Sequence, residues 1–270
     1  MHPRKLIWLI LLILVSLFFF FASLQADENK EEFSKVVPLS AQGTFSLDNV
    51  NGSVAVTTWT EQKVEIKAVK STAKAAENLA KVKIEVESTA SSVSVKTIYP
   101  EHDQTGVSVT YDVKVPEGTE LSRVSSVNGK VSLTGPFGKA SATTVNGDIS
   151  ASKASGELSF STTNGNIEAL NVKGMIRSNT VNGSIKLSVG ALENGIKAET
   201  VNGGITLQVS PAQELNADLK AETVNGSISL DFPVTLQGLV KTKHALEGKL
   251  GKGGPQISLK TVNGSIHLTK

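Results

Sequence analysis

Thr144-Val145-Asn146-Gly147-Asp148-Ile149-Ser150-Ala151 decides the fold of this chain, because near copies of it return along the sequence. Around it, Gly129, Gly138, Gly147, Gly156, Gly165, Gly174 and Gly183 stand at a strict nine-residue interval, and every second one follows an asparagine. The second residue after each glycine is Val131, Ala140, Ile149, Leu158, Ile167, Ile176 or Ile185, and the fourth is Leu133, Ala142, Ala151, Phe160, Ala169, Ser178 or Leu187. Apolar residues two apart put their side chains on one face of a strand. Each unit therefore reads as a short strand with one solvated face, followed by a turn. Asn-Gly suits the turn because both residues tolerate positive φ.

An Asn-Gly turn between strands is ordinarily a hairpin signal, but a meander has no need to repeat one sequence every 18 residues. The turn returns at Asn51-Gly52, Asn128-Gly129, Asn146-Gly147, Asn164-Gly165, Asn182-Gly183, Asn202-Gly203, Asn225-Gly226 and Asn263-Gly264. This pattern predicts an all-β fold, a single-stranded parallel β-helix of about 18 residues per coil, in which like residues stack from coil to coil. The preference of parallel crossovers makes the expected helix right-handed. A left-handed hexapeptide helix is excluded by Ser155 and Ser161, which fall where it needs aliphatic residues, and the calcium-binding nonapeptide roll by the missing Gly-Gly-x-Gly-x-Asp. Ser126, Thr144, Thr162, Thr180, Thr200, Thr223 and Thr261 form a second column two positions before the asparagines. Val127, Val145, Val181, Val201, Val224 and Val262 lie between the two, with Thr163 the exception. These columns read as the fold's own fasteners, and an ice-binding surface would need a second threonine file.

The N-terminus carries Arg4 and Lys5, then an apolar run from Leu6 to Ala22 broken only by Ser16. Residues 1–26 are read as a signal peptide or, uncleaved, as a membrane anchor over residues 6–24. Residues 27–35 are charged and aperiodic, which predicts a linker, and 36–270 form one domain: an irregular N-terminal cap over 36–120 and regular coils over 121–270. Within the cap, the Ala-, Lys- and Glu-rich stretch from Ser71 to Leu79 predicts a short helix capped by Ser71 or Thr72. Asn194-Gly195 adds an off-period turn, and Pro211 to Asp218 inserts a loop. The last strand, ending within six residues of Gly264, is expected to be an open edge. The chain has no cysteine, which excludes a disulfide framework and a lipid-modified cysteine at the N-terminus. Without residues 1–26 it carries 25 basic and 25 acidic side chains, so no nucleic-acid partner is expected.

No catalytic residue, cofactor or metal site emerges. Asp148, Asp218 and Asp231 stand in unrelated contexts, whereas sugar-cleaving β-helices need carboxylates converging on one bond. His2, His102, His244 and His267 lack ligand spacing. The local candidate for recognition is the Lys- and Gly-rich stretch 241–254, with Lys241, Lys243, His244, Lys249 and Lys252 as a contact loop for an anionic envelope component, and with Glu247-Gly248 standing in for a missing Asn-Gly corner.

Asn51-Gly52-Ser53-Val54 followed by Trp59, the helix near Ala75 to Leu79, the Tyr111 to Pro116 strand and turn, and the repeated Thr-Val-Asn-Gly turns together resemble the bacterial putative-adhesin family of β-strand repeats, domain of unknown function 4097. The family's commoner Ser-Gly-Asp turn is replaced here by Val-Asn-Gly. The resemblance implies a periplasmic or cell-surface location and a non-enzymatic role, and it transfers no catalytic residues. The function expected is that of an exported envelope protein whose β-helix is a binding or scaffold module for an envelope protein or glycan. Membrane contact would come only through an uncleaved N-terminal segment. The alternatives are a structural protein self-associating through its solenoid ends and, third, a carbohydrate-active enzyme.

Overall fold

Each repeat folds as two short strands joined at an Asn-Gly corner, one strand entering each of two long sheets. The computed structural model describes residues 28–190, 192, 194–210, 215–231 and 236–270. The leader or anchor expected over 1–26 lies outside these residues, as do 211–214 of the expected loop. In chain order the strands are β1 (Asn29–Pro38), β2 (Thr44–Asp48), β3 (Val54–Trp59), β4 (Lys63–Thr72), β5 (Lys83–Ser88), β6 (Ser92–Ile98), β7 (Ser108–Pro116), β8 (Glu120–Asn128), β9 (Val131–Thr134), β10 (Lys139–Asn146), β11 (Ile149–Ser152) and β12 (Glu157–Ser161). There follow β13 (Ile167–Val172), β14 (Met175–Asn182), β15 (Ile185–Val189), β16 (Ile196–Asn202), β17 (Ile205–Val209), β18 (Ala217–Asn225), β19 (Ile228–Leu230), β20 (Leu236–Lys241), β21 (Ala245–Leu250), β22 (Gln256–Asn263) and β23 (Ile266–Thr269).

The first sheet runs β1-β4-β7-β3-β9-β11-β13-β15-β17-β23-β19, and the second β20-β21-β18-β22-β16-β14-β12-β10-β8-β2-β6-β5. Neighbours in the body are parallel and in like register: Ile149 opposes Ile167, which opposes Ile185, which opposes Ile205. The residues two and four after each glycine, from Val131 to Leu187, are all buried between the sheets. The interior is narrow, so large and small residues alternate along it. Phe160 fits because its register partners are Ala142 and Ser178.

The glycines of the Asn-Gly corners do a different job from the one expected. Neither the repeated asparagines nor Gly165 has positive φ; instead, a Cβ on Gly165 would lie 1.9 Å from the carbonyl oxygen of Gly147. Glycine is required because successive coils touch backbone to backbone at this corner. Positive φ is found at Gly156 and Gly174 of the plainer corner, with φ 99° and 107°, and among the Asn-Gly corners at Gly52, with φ 114°, and Gly203, with φ 159°.

Several expectations are corrected at the ends. Most of the stretch 27–35, expected as a linker, is strand: β1 pairs antiparallel with β4 along its whole length, from Asn29 opposite Thr72 to Pro38 opposite Lys63. Its charged side chains suit a sheet edge, where charge discourages further pairing. Lys70 fastens it, reaching Glu31 at 2.8 Å and the carbonyl of Leu79 at 3.3 Å. The predicted helix is a 3-10 turn over Ala76–Lys81 with no side-chain cap. Ser71 and Thr72 end β4 instead, because their side chains continue its alternation.

The last strand is not an open edge. β22 lies between β16 and β18, and β23 between β17 and β19, each pairing in parallel on both sides. The stretch 241–254 is not a projecting loop either, because β20 and β21 form an antiparallel hairpin that extends the second sheet beyond β18. Glu247 and Gly248 sit within β21 opposite Lys220 and Leu219, so they make no corner. The cap shows the same displacement: β2–β3 stack between β6–β7 and β8–β9.

Candidate functional site

The most regular surface is the Asn-Gly corner, built from three adjacent files. Outermost are the asparagines. Asn128 donates its amide to Asn51 at 2.8 Å, Asn146 to Asn128 at 2.8 Å, Asn164 to Asn146 at 2.9 Å and Asn182 to Asn164 at 2.8 Å. The ladder continues from Asn202 to Asn182, Asn263 to Asn202 and Asn225 to Asn263, each at 2.8 Å. Innermost, the buried hydroxyls of Ser126, Thr144, Thr162, Thr180, Thr200, Thr261 and Thr223 donate to the glycine carbonyls of the neighbouring coil, at 2.8 to 3.0 Å. Asn49 takes the first place in this file and donates to the carbonyl of Val109 at 2.9 Å. Each ladder is thus closed by bonds between neighbouring coils, with Asn49 Oδ1 the exception, buried and without a hydrogen-bond partner among the described residues.

The file between them is turned outward. Val127, Val145, Val181, Val201 and Val224 are 38 to 58% exposed, and Val262 is half-buried between the last two. Sequence reasoning located these valines but not their exposure. The signal was available: they alternate with the threonines, which the pattern placed inward. On the second sheet this file is bordered by Ser125, Thr143, Ser161 and Asn179, and farther along by Glu199 and Glu222. Pairs such as Arg177–Glu157 at 2.8 Å, Lys197–Glu199 at 3.1 Å and Lys220–Glu222 at 3.2 Å neutralise the face. Exposed pairs of this kind contribute only about 0 to 1 kcal/mol each.

On the first sheet, beside the same corner, lies a groove of about 340 Å³ lined by Lys130, Asp148, Asn166, Glu168, Ser184 and Lys186. Asp148 already accepts the backbone N–H of Asn166 at 2.7 Å, and Asn166 that of Ser184 at 2.9 Å. Lys186 is paired with Glu168 at 3.0 Å. These polar groups serve the coils before any ligand.

The Lys241, Lys243, His244, Lys249 and Lys252 set is divided by the hairpin. Lys241 ends β20 opposite Leu246, and Lys243 and His244 lie in the adjoining turn. Lys249 and Lys252 stand at the other end of β21, a six-residue strand about 17 Å long. The length of β21 thus separates the two groups along the hairpin.

In the cap, Trp59 is engaged by the ammonium groups of Lys63 and Lys114, 5.5 and 5.4 Å from its ring centre. Lys114 also lies 3.1 Å from Glu65 and, opposed by desolvation and helped by Lys67, holds that carboxyl below its ordinary range. Burial pushes Tyr111 up to about 12, although its 2.6 Å hydrogen bond with Thr97 pulls the other way. Burial likewise pushes Tyr99 up to about 12, against the opposing effect of its bond to the Asn51 carbonyl. Among the described residues no group of His, Asp and Glu has metal-binding geometry, and no helix is long and apolar enough to cross a membrane. His102 sits in an exposed turn, and His267 bonds Ser229 at 2.7 Å on the outer face.

The model of one protein family, described as Toastrack DUF4097, matches residues 22–269. No curated protein matches the chain. Among solved structures, a putative cell adhesion protein from Clostridium sporogenes is 16% identical, covering 89% of this chain and 99% of its own, with a TM-score of 0.39. A putative adhesin from Bacteroides fragilis is 12% identical over 88% of this chain and 97% of its own, with a TM-score of 0.44. A putative lipid binding protein from Parabacteroides distasonis is 11% identical over 89% and 97%, with a TM-score of 0.34.

Proposed function

The chain belongs to the DUF4097 Toastrack family, and on that premise we propose that it is an exported envelope protein acting as a non-enzymatic binding or scaffold module. The observation that carries this reading is the exposed valine file beside the asparagine ladder. Apolar side chains on a soluble face lose favourable burial unless something covers them, and these repeat at the spacing of the coils, roughly 4.8 Å. Such a surface suits an extended envelope protein segment or glycan lying along the corner.

The rest of the proposal follows the chain. The 18-residue offset between hydrogen-bonded asparagines supports a β-helix of about 18 residues per coil, which we take as right-handed. The basic, apolar N-terminus supports export, with residues 1–26 removed or retained as an anchor. The absence of converging acid and base groups along the corner favours binding over hydrolysis.

The test is capture of purified envelope components, proteins and glycans separately, on the full chain and on a Val145→Lys/Val181→Lys/Val201→Lys variant. These positions are exposed, and the variant's circular dichroism spectrum and melting temperature check that it keeps its fold. A component retained by the native chain and lost by the variant supports the proposal. Equal retention by both overturns the valine face as the site.

A further inference from the structure

The coil formed by β22 and β23 follows β18 and β19 in the sequence but lies inside them in the sheets. Neither β16 nor β17 pairs with β18 or β19; only β22 and β23 join them. Ile257 lies between Ile196 and Leu219, and Asn263 between Asn202 and Asn225. Lifting out residues 256–269 would leave an opening one strand wide in each sheet. Its two walls would expose parallel edges, asparagines and buried threonines ready for a segment of the same pattern.

We propose that this slot also accepts the C-terminal segment 256–269 of a second copy, exchanged reciprocally, so that the chain forms strand-exchanged dimers. The occupant is fixed by the ladder chemistry. A strand filling the slot must offer inward Ile257 and Leu259, a threonine for the Gly203 carbonyl, and an asparagine that both donates to Asn202 and accepts from Asn225. The same segment from another copy meets every requirement.

The connection supplies the reason to exchange. Between Leu250 and Gln256 the chain must step across the end of β18, since Asp218 opposes Lys249 on one side and Gln256 on the other. Gly251, Gly253 and Gly254 take φ of 57°, 77° and 153° in this step, and a Cβ on Gly251 would lie 2.3 Å from the Asn216 side chain. A hinge drawn out towards a partner has no such requirement. Closed and exchanged forms share the same strand contacts, so hinge strain and concentration set the balance.

The chain has no cysteine, so the exchange can be read by cross-linking. Thr206 and His267 are register partners on the outer face of β17 and β23. A doubly substituted Thr206→Cys/His267→Cys chain, folded dilute, should form a disulfide at monomer mass and so prove the pair competent. Separate Thr206→Cys and His267→Cys full chains are then unfolded, mixed and refolded at high concentration. Exchange predicts a disulfide-linked dimer of the two, absent when Ser132→Cys replaces Thr206→Cys. Adding Gly251→Val/Gly253→Val to both chains should raise the dimer fraction about tenfold, because β-branched residues disfavour the closed hinge. Cross-links confined to the doubly substituted monomer, with hinge variants that melt earlier yet stay monomeric, would overturn the proposal.

Discussion

Substituting Gly165 by alanine tests the claim that the coils are spaced by backbone contact. The new Cβ would stand 1.9 Å from the Gly147 carbonyl oxygen and 2.5 Å from its carbon, and neither neighbour can rotate away. Reaching ordinary contact requires the two coils to part by about 1.5 Å at the corner. That movement stretches three bonds past about 4 Å: Thr162 to the Gly147 carbonyl at 2.9 Å, Gly147 N–H to Asn164 at 3.0 Å, and Asn164 to Asn146 at 2.9 Å. At about 0.5 to 1.5 kcal/mol each, with the Thr162 hydroxyl left buried, the loss is about 2 to 4 kcal/mol. Overpacking without movement costs about 1 to 3 kcal/mol, so either response destabilises. In a domain of this size the melting temperature should fall by about 4 to 16 °C. Gly190→Ala is the control, since its Cβ would meet only Lys173 Cε, at 3.8 Å, and it should change stability by less than about 0.5 kcal/mol. The assay is thermal melting by circular dichroism, with hydrogen exchange at the Gly147 amide to show that the opening is local. If Gly165→Ala melts with Gly190→Ala, the close-approach argument is refuted.

Ser178→Ala should be neutral or stabilising by up to about 1 kcal/mol in urea unfolding, because the buried hydroxyl of Ser178 has no hydrogen-bond partner among the described residues. Raising the pH should weaken the cap. The folded state holds the Tyr111 proton to about 12 while an unfolded tyrosine releases it near ~10, so its contribution is intact below pH ~10 and declines above that by about 1.4 kcal/mol per pH unit. A Tyr111→Phe chain should show a shallower decline in its urea midpoint over that range. Asn164→Asp keeps the acceptor for Asn182 but removes the donor to Asn146; its loss should exceed that of Asn128→Asp by less than about 1 kcal/mol, since both sites are exposed and both lose one ladder donor.

The body of the fold was legible because its signals are local. Strand alternation is set by neighbours two apart, and every inward residue from Val131 to Leu187 read in this way is buried. The role of the corner glycines was not legible, because the atom that excludes a side chain at Gly165 belongs to Gly147, one coil away. Strand order at the two ends was hidden for a related reason. Thr261-Val262-Asn263-Gly264 is chemically equivalent to its siblings, and a repeat that fits any coil position carries no address. The hairpin did leave a trace in the alternation of Leu246, Gly248 and Leu250 and in the 38-residue gap from Asn225 to Asn263. Charge misled at β1, where edge position rather than a linker explains Lys30, Glu31 and Glu32.

The valine face and the closing coil are coupled through Val262. It completes the file between Val201 and Val224, so anything lying along that stretch touches the segment that fills the slot and both of its walls. A ligand there binds the closed arrangement and loses its site when the segment leaves, and it therefore stabilises closure by RT ln(1 + [L]/Kd), about 2.7 kcal/mol at a hundredfold excess over Kd. Once a face ligand is identified by loss of capture on the valine variant, saturating it should slow exchange between preformed Thr206→Cys and His267→Cys chains by about a hundredfold. A ligand seated nearer Val127 and Val145 should leave that rate unchanged. The exchange rate thus places the ligand along the file as well as testing the coupling, and a Val145-proximal ligand that slowed exchange equally would show that the corner transmits binding along its whole length.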